Sequence, residues 1–222
     1  MNKRMIAPAL FGLVGAVILV LLGNWQIDRM IWKNAILAEI DARLIADPVP
    51  LPEDPTEARD LYLSVRVEGE MLGEEIHVLA SSPATGPGYR VLTAFQTSDG
   101  RRILVDRGVV PEAEKDSPRQ PENGVIYGNL YWLQDDIAIT PPNFRRNIWF
   151  GRDPVALSEA LDTEPVMLVM NRTSQTGGPH PAAVGNNIPN SHLGYALTWY
   201  GLALVWIGMT LYLLVRIKRK TV

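Results

Sequence analysis

The chain offers three histidines as candidate acid–base or metal-binding groups, His77, His180 and His192, and no cysteine. Without cysteine there is no thiolate nucleophile, no thiolate zinc or iron–sulfur site and no disulfide. No GxSxG, P-loop, HExxH or GxGxxG pattern is present. An outward-facing hydrolase would have to be built from His77 or His180 with acidic residues, and no spacing supports a metal site or an activated nucleophile. His77 lies between Ile76 and Val78 in a strand-like run, which predicts a ring facing solvent or a polar neighbour. His180 lies between Pro179 and Pro181, which predicts a solvated loop side chain. A copper(I) carrier is disfavoured, because soft thiolate or clustered thioether ligands are missing and the seven methionines form no cluster. His192 stands apart because a long apolar run begins directly after it.

Leu193 to Val215 is an uncharged run with Tyr195, Trp199 and Tyr200 at its start and Tyr212 near its end. That is the pattern of a membrane span with an aromatic belt at each interface. Arg216, Lys218, Arg219 and Lys220 come immediately after it, so the positive-inside rule places this end in the cytoplasm. Met5 to Leu22 is a second uncharged run. No small-x-small cleavage site succeeds it, which favours an uncleaved anchor over a signal peptide. The expected layout is a cytoplasmic tail at 1–4, a first transmembrane helix at 5–23, an outward domain at 24–191, a second helix at 192–215 and a basic cytoplasmic tail at 216–222. His192 then sits at the outer edge of the hydrocarbon. Position alone favours an interfacial helix cap, yet an imidazole there is also a competent axial ligand for haem iron. Tyr195, Trp199, Ala203 and Trp206 fall within about 60° of it around the helix. Gly194, Gly201 and Gly208 form a small-residue stripe on the opposite face, and Ala9, Gly12, Ala16 and Gly23 form one on the first helix. Small residues let membrane helices approach. If these two stripes meet, His192 and Trp199 point away from the first helix.

The elements between the spans read as β-rich. Residues 24–46 predict a helical extension, and 47–58, with four prolines, a linker. Strand patterns cover Leu61 to Val67, Ile76 to Ala80, Tyr89 to Thr97, Arg102 to Val110, Val125 to Leu133, Asn147 to Phe150 and Val166 to Asn171. Turn signals lie at Glu68-Gly69, Thr85 to Gly88, Asp99-Gly100 and Asn123-Gly124, and Asp99-Gly100 predicts a two-residue hairpin. Asp153 and Pro154 open a short helix to Leu161. Residues 173–191 form a returning loop. The fold class expected is a membrane protein in which two transmembrane helices flank an outward-facing, mostly antiparallel β (α+β) domain, a barrel or sandwich. All 24 acidic residues lie between Asp28 and Glu164, while six of the 21 basic ones sit at the two ends. That acidic middle argues against a nucleic-acid partner.

Four stretches resemble one family. LGNWQIDRMIWK resembles LGxWQxxRxxWK through Gly23, Trp25, Gln26, Arg29, Trp32 and Lys33. GPGYRVLTAF at 86–95 resembles GPGYxVxTPF, with Ala94 where proline is usual. ILVDRGVVP at 103–111 resembles LVNRGWVP, with Asp106 for asparagine and Val109 for tryptophan. NSHLGYALTWYGLA at 190–203 resembles NxHLxYAxTWYxLA. In this order, between two spans, they resemble the surfeit locus protein 1 family of cytochrome c oxidase assembly factors, bacterial members included. The resemblance implies a non-enzymatic role in binding haem a and aiding its insertion into the oxidase catalytic subunit. It puts the iron ligand on His192, with Tyr195 and Trp199 as cofactor-binding neighbours. It implies a cell inner membrane protein with a periplasmic domain, and haem a synthase as a further partner beside membrane lipid. Arg90, Arg107 and Arg172 are candidate partners for the haem propionates or else solvated charges. The alternative is a membrane scaffold that stabilises oxidase assembly intermediates and holds no haem.

Overall fold

The computed structural model describes residues 3–82, 85–132, 140–173, 178–182, 184 and 190–219. Residues 1 and 2 of the first tail, Leu133, much of the 173–191 loop and Lys220 lie outside them. In chain order the elements are helix α1 (Lys3–Leu44), strand β1 (Val49–Pro50), helix α2 (Glu57–Asp60), β2 (Ser64–Ser82), β3 (Gly86–Thr97), β4 (Arg102–Pro111), a 3-10 turn (Glu112–Glu114), β5 (Gly124–Tyr131), β6 (Ile148–Trp149), α3 (Pro154–Leu161), β7 (Glu164–Met170) and α4 (His192–Arg219). They form two units, residues 1–39 with 187–222, and residues 40–186.

The first unit is the pair α1 and α4. Both helices are long and apolar enough to cross a membrane. Their side chains are mostly outward and apolar, as in Phe11, Leu21, Leu204 and Leu211, which is stable only where the surroundings are also apolar.

The second unit is a sheet that closes on itself. β2 pairs with β5 through residues 64–69 and with β3 through residues 69–82, and the path β2-β3-β4-β7-β5 returns to β2. The sheet is mixed, which corrects the mostly antiparallel expectation. β2–β3, β3–β4, β2–β5 and β5–β7 are antiparallel, but β1–β2, β2–β6 and β4–β7 are parallel. Hairpin signals report only neighbours in sequence. The parallel β4–β7 pair joins strands that a long connection through α3 separates, and no local pattern encodes it.

Two strand expectations merge into one. The run expected at Leu61–Val67 joins β2 only from Ser64 onward, the run at Ile76–Ala80 belongs to the same strand, and Glu68-Gly69 is not a turn. Gly69 faces both Thr97 and Gly124 across the ladders, and a Cβ there would collide with the Gln96 carbonyl. The glycine marks a close backbone approach rather than a chain reversal. The Asp99-Gly100 hairpin exists, but its loop is Ser98 to Gly100. Gly100 N–H donates to the Thr97 carbonyl and Gly100 takes φ +90°, a type I turn closed by a glycine bulge. α3 runs from Pro154 to Leu161, with the Asp153 carboxylate accepting from the N–H groups of Val155 and Ala156.

Alternating residues of the closed sheet fill two larger cores, beside a smaller cluster of Tyr89, Val91, Val110 and Ile148. Phe95, Ile103, Val105, Leu130, Leu168 and Met170 point to one side. Leu92, Leu104, Met167 and Val169 point to the other, where Leu157 and Leu161 of α3 cover them. β4 and β7 are therefore buried on both faces, which is why they read as nearly unbroken apolar runs. Each such fully buried side chain contributes about 2 kcal/mol of transfer free energy.

Candidate functional site

α1 meets α4 through its small residues. A Cβ added at Gly12, Gly15 or Gly23 would collide with Thr210, Trp206 or Tyr200 respectively. Ala16 on α1 and Ala196 and Ala203 on α4 are buried. The Trp206 indole N–H reaches over Gly15 and donates to the Gly12 carbonyl at 3.0 Å. Above this apolar contact the two helices exchange neutral polar bonds. Tyr200 Oη donates to Asn24 Oδ1 at 2.7 Å, and Asn190 Nδ2 donates to Asn34 Oδ1 at 2.6 Å. Between these two positions on α1, Gln26 Oε1 lies 2.7 Å from His192 Nδ1. An apolar cleft of about 630 Å³, lined by Pro8, Phe11, Met209 and Leu213 among others, opens near the other end of the pair.

This arrangement corrects the stripe expectation. The first-helix stripe of Ala9, Gly12, Ala16 and Gly23 includes the residues that admit α4. The α4 glycines do not answer it, because nothing lies within 4 Å of a Cβ at Gly194, Gly201 or Gly208. The face that meets α1 instead carries His192, Ala196, Ala203 and Trp206. The physical reason is complementarity. One glycine-lined helix takes the large side chains of its partner, so both need not be small. His192 therefore points toward α1. It is half-buried, as is Trp199, while Tyr195 is exposed.

The imidazole has two distinct nitrogens. A carbonyl oxygen can only accept, so Nδ1 carries the proton and donates to Gln26 Oε1. Nε2 has no hydrogen-bond partner among the described residues. An imidazole held at one nitrogen by an outer-shell partner can offer the other to a metal when that nitrogen carries no proton. Gln26 was visible in sequence only as a motif position. Its partner is 166 residues away, and no local signal links them.

The other sequence candidates lie in the β-rich unit, and most are already committed. Glu75 accepts from Arg107 Nη1 at 2.8 Å on one oxygen and from Arg119 Nη1 at 2.7 Å on the other. Arg119 also donates to the carbonyls of Glu114 and Lys115, and Arg107 to that of Gln120, so the segment 114–120 is strapped onto the sheet. His77 is buried beside this cluster, 3.4 Å from Glu75 and edge-on to Tyr89, with no partner for Nδ1 among the described residues. It faces polar neighbours and not solvent. Burial pushes the Glu75 carboxyl up, but its hydrogen bond with His77 and the charges of Arg119 and Arg107 prevail and hold it below the usual range. Burial also lowers Arg107 from its ordinary value. Arg90 Nη1 pairs with the fully buried Asp106 at 2.5 Å, and burial still leaves that carboxyl raised. Arg172 is exposed and stacks on Tyr127, 3.5 Å from the ring centroid. Arg90 and Arg107 are thus neither solvated charges nor spare cations. His180 is exposed and bridges Val109 through its backbone. Among the described residues no three His, Asp or Glu side chains are grouped to hold a metal ion.

Two apolar helices joined by an imidazole–amide contact and carrying a closed mixed sheet define a two-span candidate membrane protein with a β-rich domain. The SURF1 family model matches residues 13–204, a stretch that contains both Gln26 and His192. Surfeit locus protein 1 of Rattus norvegicus is 32% identical over 206 residues, covering 82% of this chain and 67% of the relative. The Homo sapiens protein of the same name is 33% identical over 208 residues, covering 82% and 69%. That of Takifugu rubripes is 30% identical over 207 residues, covering 82% and 86%. The chain belongs to the SURF1 family.

Proposed function

We propose that the chain is an assembly factor for haem-copper cytochrome c oxidase that binds haem a through His192 and aids its insertion into the catalytic subunit. Membership of the SURF1 family supports the oxidase-assembly part. The haem part rests on one observation, the His192 ring held at Nδ1 by Gln26 with no partner at Nε2 among the described residues. That donor set fits haem iron, which takes a neutral imidazole nitrogen as an axial ligand. Trp199 and Tyr195 stand on the same side of α4 and would flank the ring system. Haem a is cargo in this reading: the chain holds it and hands it on, and catalyses no reaction.

The placement that goes with this reading is the cell inner membrane, with both termini cytoplasmic and the barrel periplasmic. Arg216, Lys218 and Arg219 in the last turn of α4 support that orientation. The partners are the oxidase catalytic subunit as acceptor, haem a synthase as source, and lipid around the helix pair. A hydrophobic cofactor bound at the edge of the hydrocarbon need never cross water on its way to an intramembrane acceptor.

The test is complementation. A strain lacking the chain is supplied with wild type or with His192→Ala, and the haem a content of the purified catalytic subunit is measured. The carrier reading expects wild type to restore it and His192→Ala to leave it several-fold lower at equal abundance of the variant. Full restoration by His192→Ala would favour the scaffold.

A further inference from the structure

We propose that Gln26 is a positioning residue that fixes His192 in the Nδ1–H tautomer, so that Nε2 is the nitrogen left to ligate. The proposal deepens the haem-carrier reading and rests on it for its purpose, but the tautomer itself exists without haem.

An isolated imidazole exchanges its proton between the two nitrogens and turns about its side-chain bonds. At the edge of a membrane helix, either nitrogen could then face outward. The structure removes that freedom from the α1 side. Gln26 is 91% buried, at 9% exposure, and its carbonyl is 2.7 Å from Nδ1. A buried amide carbonyl in apolar surroundings is costly to leave unpaired. Nδ1 lies within hydrogen-bond distance of that carbonyl, and it can satisfy the oxygen only by carrying a proton. The reversed amide would donate to Nδ1 and drive the proton to Nε2, closing the ligating nitrogen. The direction of one amide thus decides whether the ring can bind iron at Nε2. Donation from Nδ1 also raises the basicity of Nε2 and fixes the ring plane.

The contact is held in register from both sides. Asn24–Tyr200 and Asn34–Asn190 bracket it along α1, and Gly23 lets Tyr200 lie against the helix just below. The ligand is therefore built by two helices, although only one supplies the nitrogen. A merely structural bond would need neither a particular amide direction nor a free Nε2.

The experiment is nitrogen-15 NMR of the full chain, labelled at histidine and kept free of haem in detergent micelles. Only three histidines contribute, and His192→Ala assigns the signal. Wild type is expected to show a protonated Nδ1 and an unprotonated Nε2 at His192. Gln26→Met keeps the length but loses the acceptor, and is expected to shift the ring toward the Nε2–H form. Gln26→Glu keeps an acceptor and is expected to retain the wild-type pattern. In parallel, the haem a retained on co-expression should fall about tenfold in Gln26→Met, the usual cost of an outer-shell partner, and recover in Gln26→Glu. A proton on Nε2 in wild type, or a Gln26→Met spectrum unchanged from wild type, overturns the proposal, and the wild-type spectrum decides even if a variant fails to fold. If the tautomer shifts as expected but wild type never retains haem a, the carrier reading fails and the role of Gln26 in setting the tautomer stands.

Discussion

In the barrel, Glu75 is satisfied by two arginines, Asp106 by Arg90, and Glu164 by Arg101 in a two-pronged pair. In the helix pair, the cross-helix bonds are neutral: amide to imidazole, phenol to amide, amide to amide. The barrel can hold charges because each lies against an opposite one. The helix pair exposes mostly apolar side chains, and in a membrane, where an ion would cost several kcal/mol, such dipoles are the less costly link. The difference also separates roles. The Glu75 carboxylate has both oxygens engaged by arginines with His77 beside them, whereas the imidazole of His192 has one nitrogen engaged and one without a partner among the described residues. The barrel's polar groups hold the fold, and under the proposed function those of the helix pair leave one imidazole nitrogen for the iron.

That contrast can be broken from the barrel side first. Glu75→Ala removes the carboxylate that two buried arginines share and should cost about 3 kcal/mol, lowering the barrel's melting temperature by about 10 °C. A calorimetric shift near zero would mean that the cluster is solvated. Because the Glu75 carboxyl is held below its ordinary value, its contribution is complete at neutral pH. It is lost as pH falls below about 4.3 toward the folded-state value. Asp106 acts in the opposite sense, since burial raises it and the folded chain takes up its proton more readily than the unfolded one. Glu75→Gln should therefore flatten the acid limb of a stability–pH curve, and Asp106 should oppose that limb.

The helix pair is disturbed without charge. Gly15→Leu would force out the Trp206 indole that lies against that glycine and break its bond to the Gly12 carbonyl. The chain has no native cysteine, so Asn34→Cys with Asn190→Cys gives a unique reporter pair. Its yield with a short crosslinker should fall several-fold on adding Gly15→Leu, while the barrel's melting is unchanged. An unaltered yield would show that the helices do not meet through this face. A smaller effect sharpens the barrel's part of the contrast. Asp153→Ala removes the cap of α3, whose Leu157 and Leu161 close one core, and should cost about 1 kcal/mol by urea denaturation.

What could be read in the sequence divides along physical lines. α3 was legible to its ends because Asp153 and Pro154 are local signals with a local effect. β4 and β7 were legible because strands buried on both faces read as nearly continuous apolar runs, interrupted in β4 by Asp106 and Arg107. Their parallel pairing was not, since it joins distant segments. Gly69 misled because a glycine needed for close approach looks in sequence like a glycine needed for a turn. Of the first-helix stripe, Gly12 and Gly23 lie against α4 and Ala16 is buried, but Gly15, which seats Trp206, was not part of it, and the α4 stripe failed. Periodicity shows that a face is small without showing what it meets. His192 was found from its place at the start of a span, and Gln26 only as part of a motif, because a contact across 166 residues leaves no periodic trace.

The central claim is that His192 holds the iron of haem a, and an absorption spectrum tests it most directly. The full chain is co-expressed with the haem a synthesis enzymes, purified in detergent, and compared with His192→Ala. The account predicts a stoichiometric haem a spectrum for wild type that His192→Ala abolishes or shifts. A wild-type protein that purifies without haem and still brings oxidase subunits with it would contradict the claim, and so would a haem a spectrum that His192→Ala leaves unchanged.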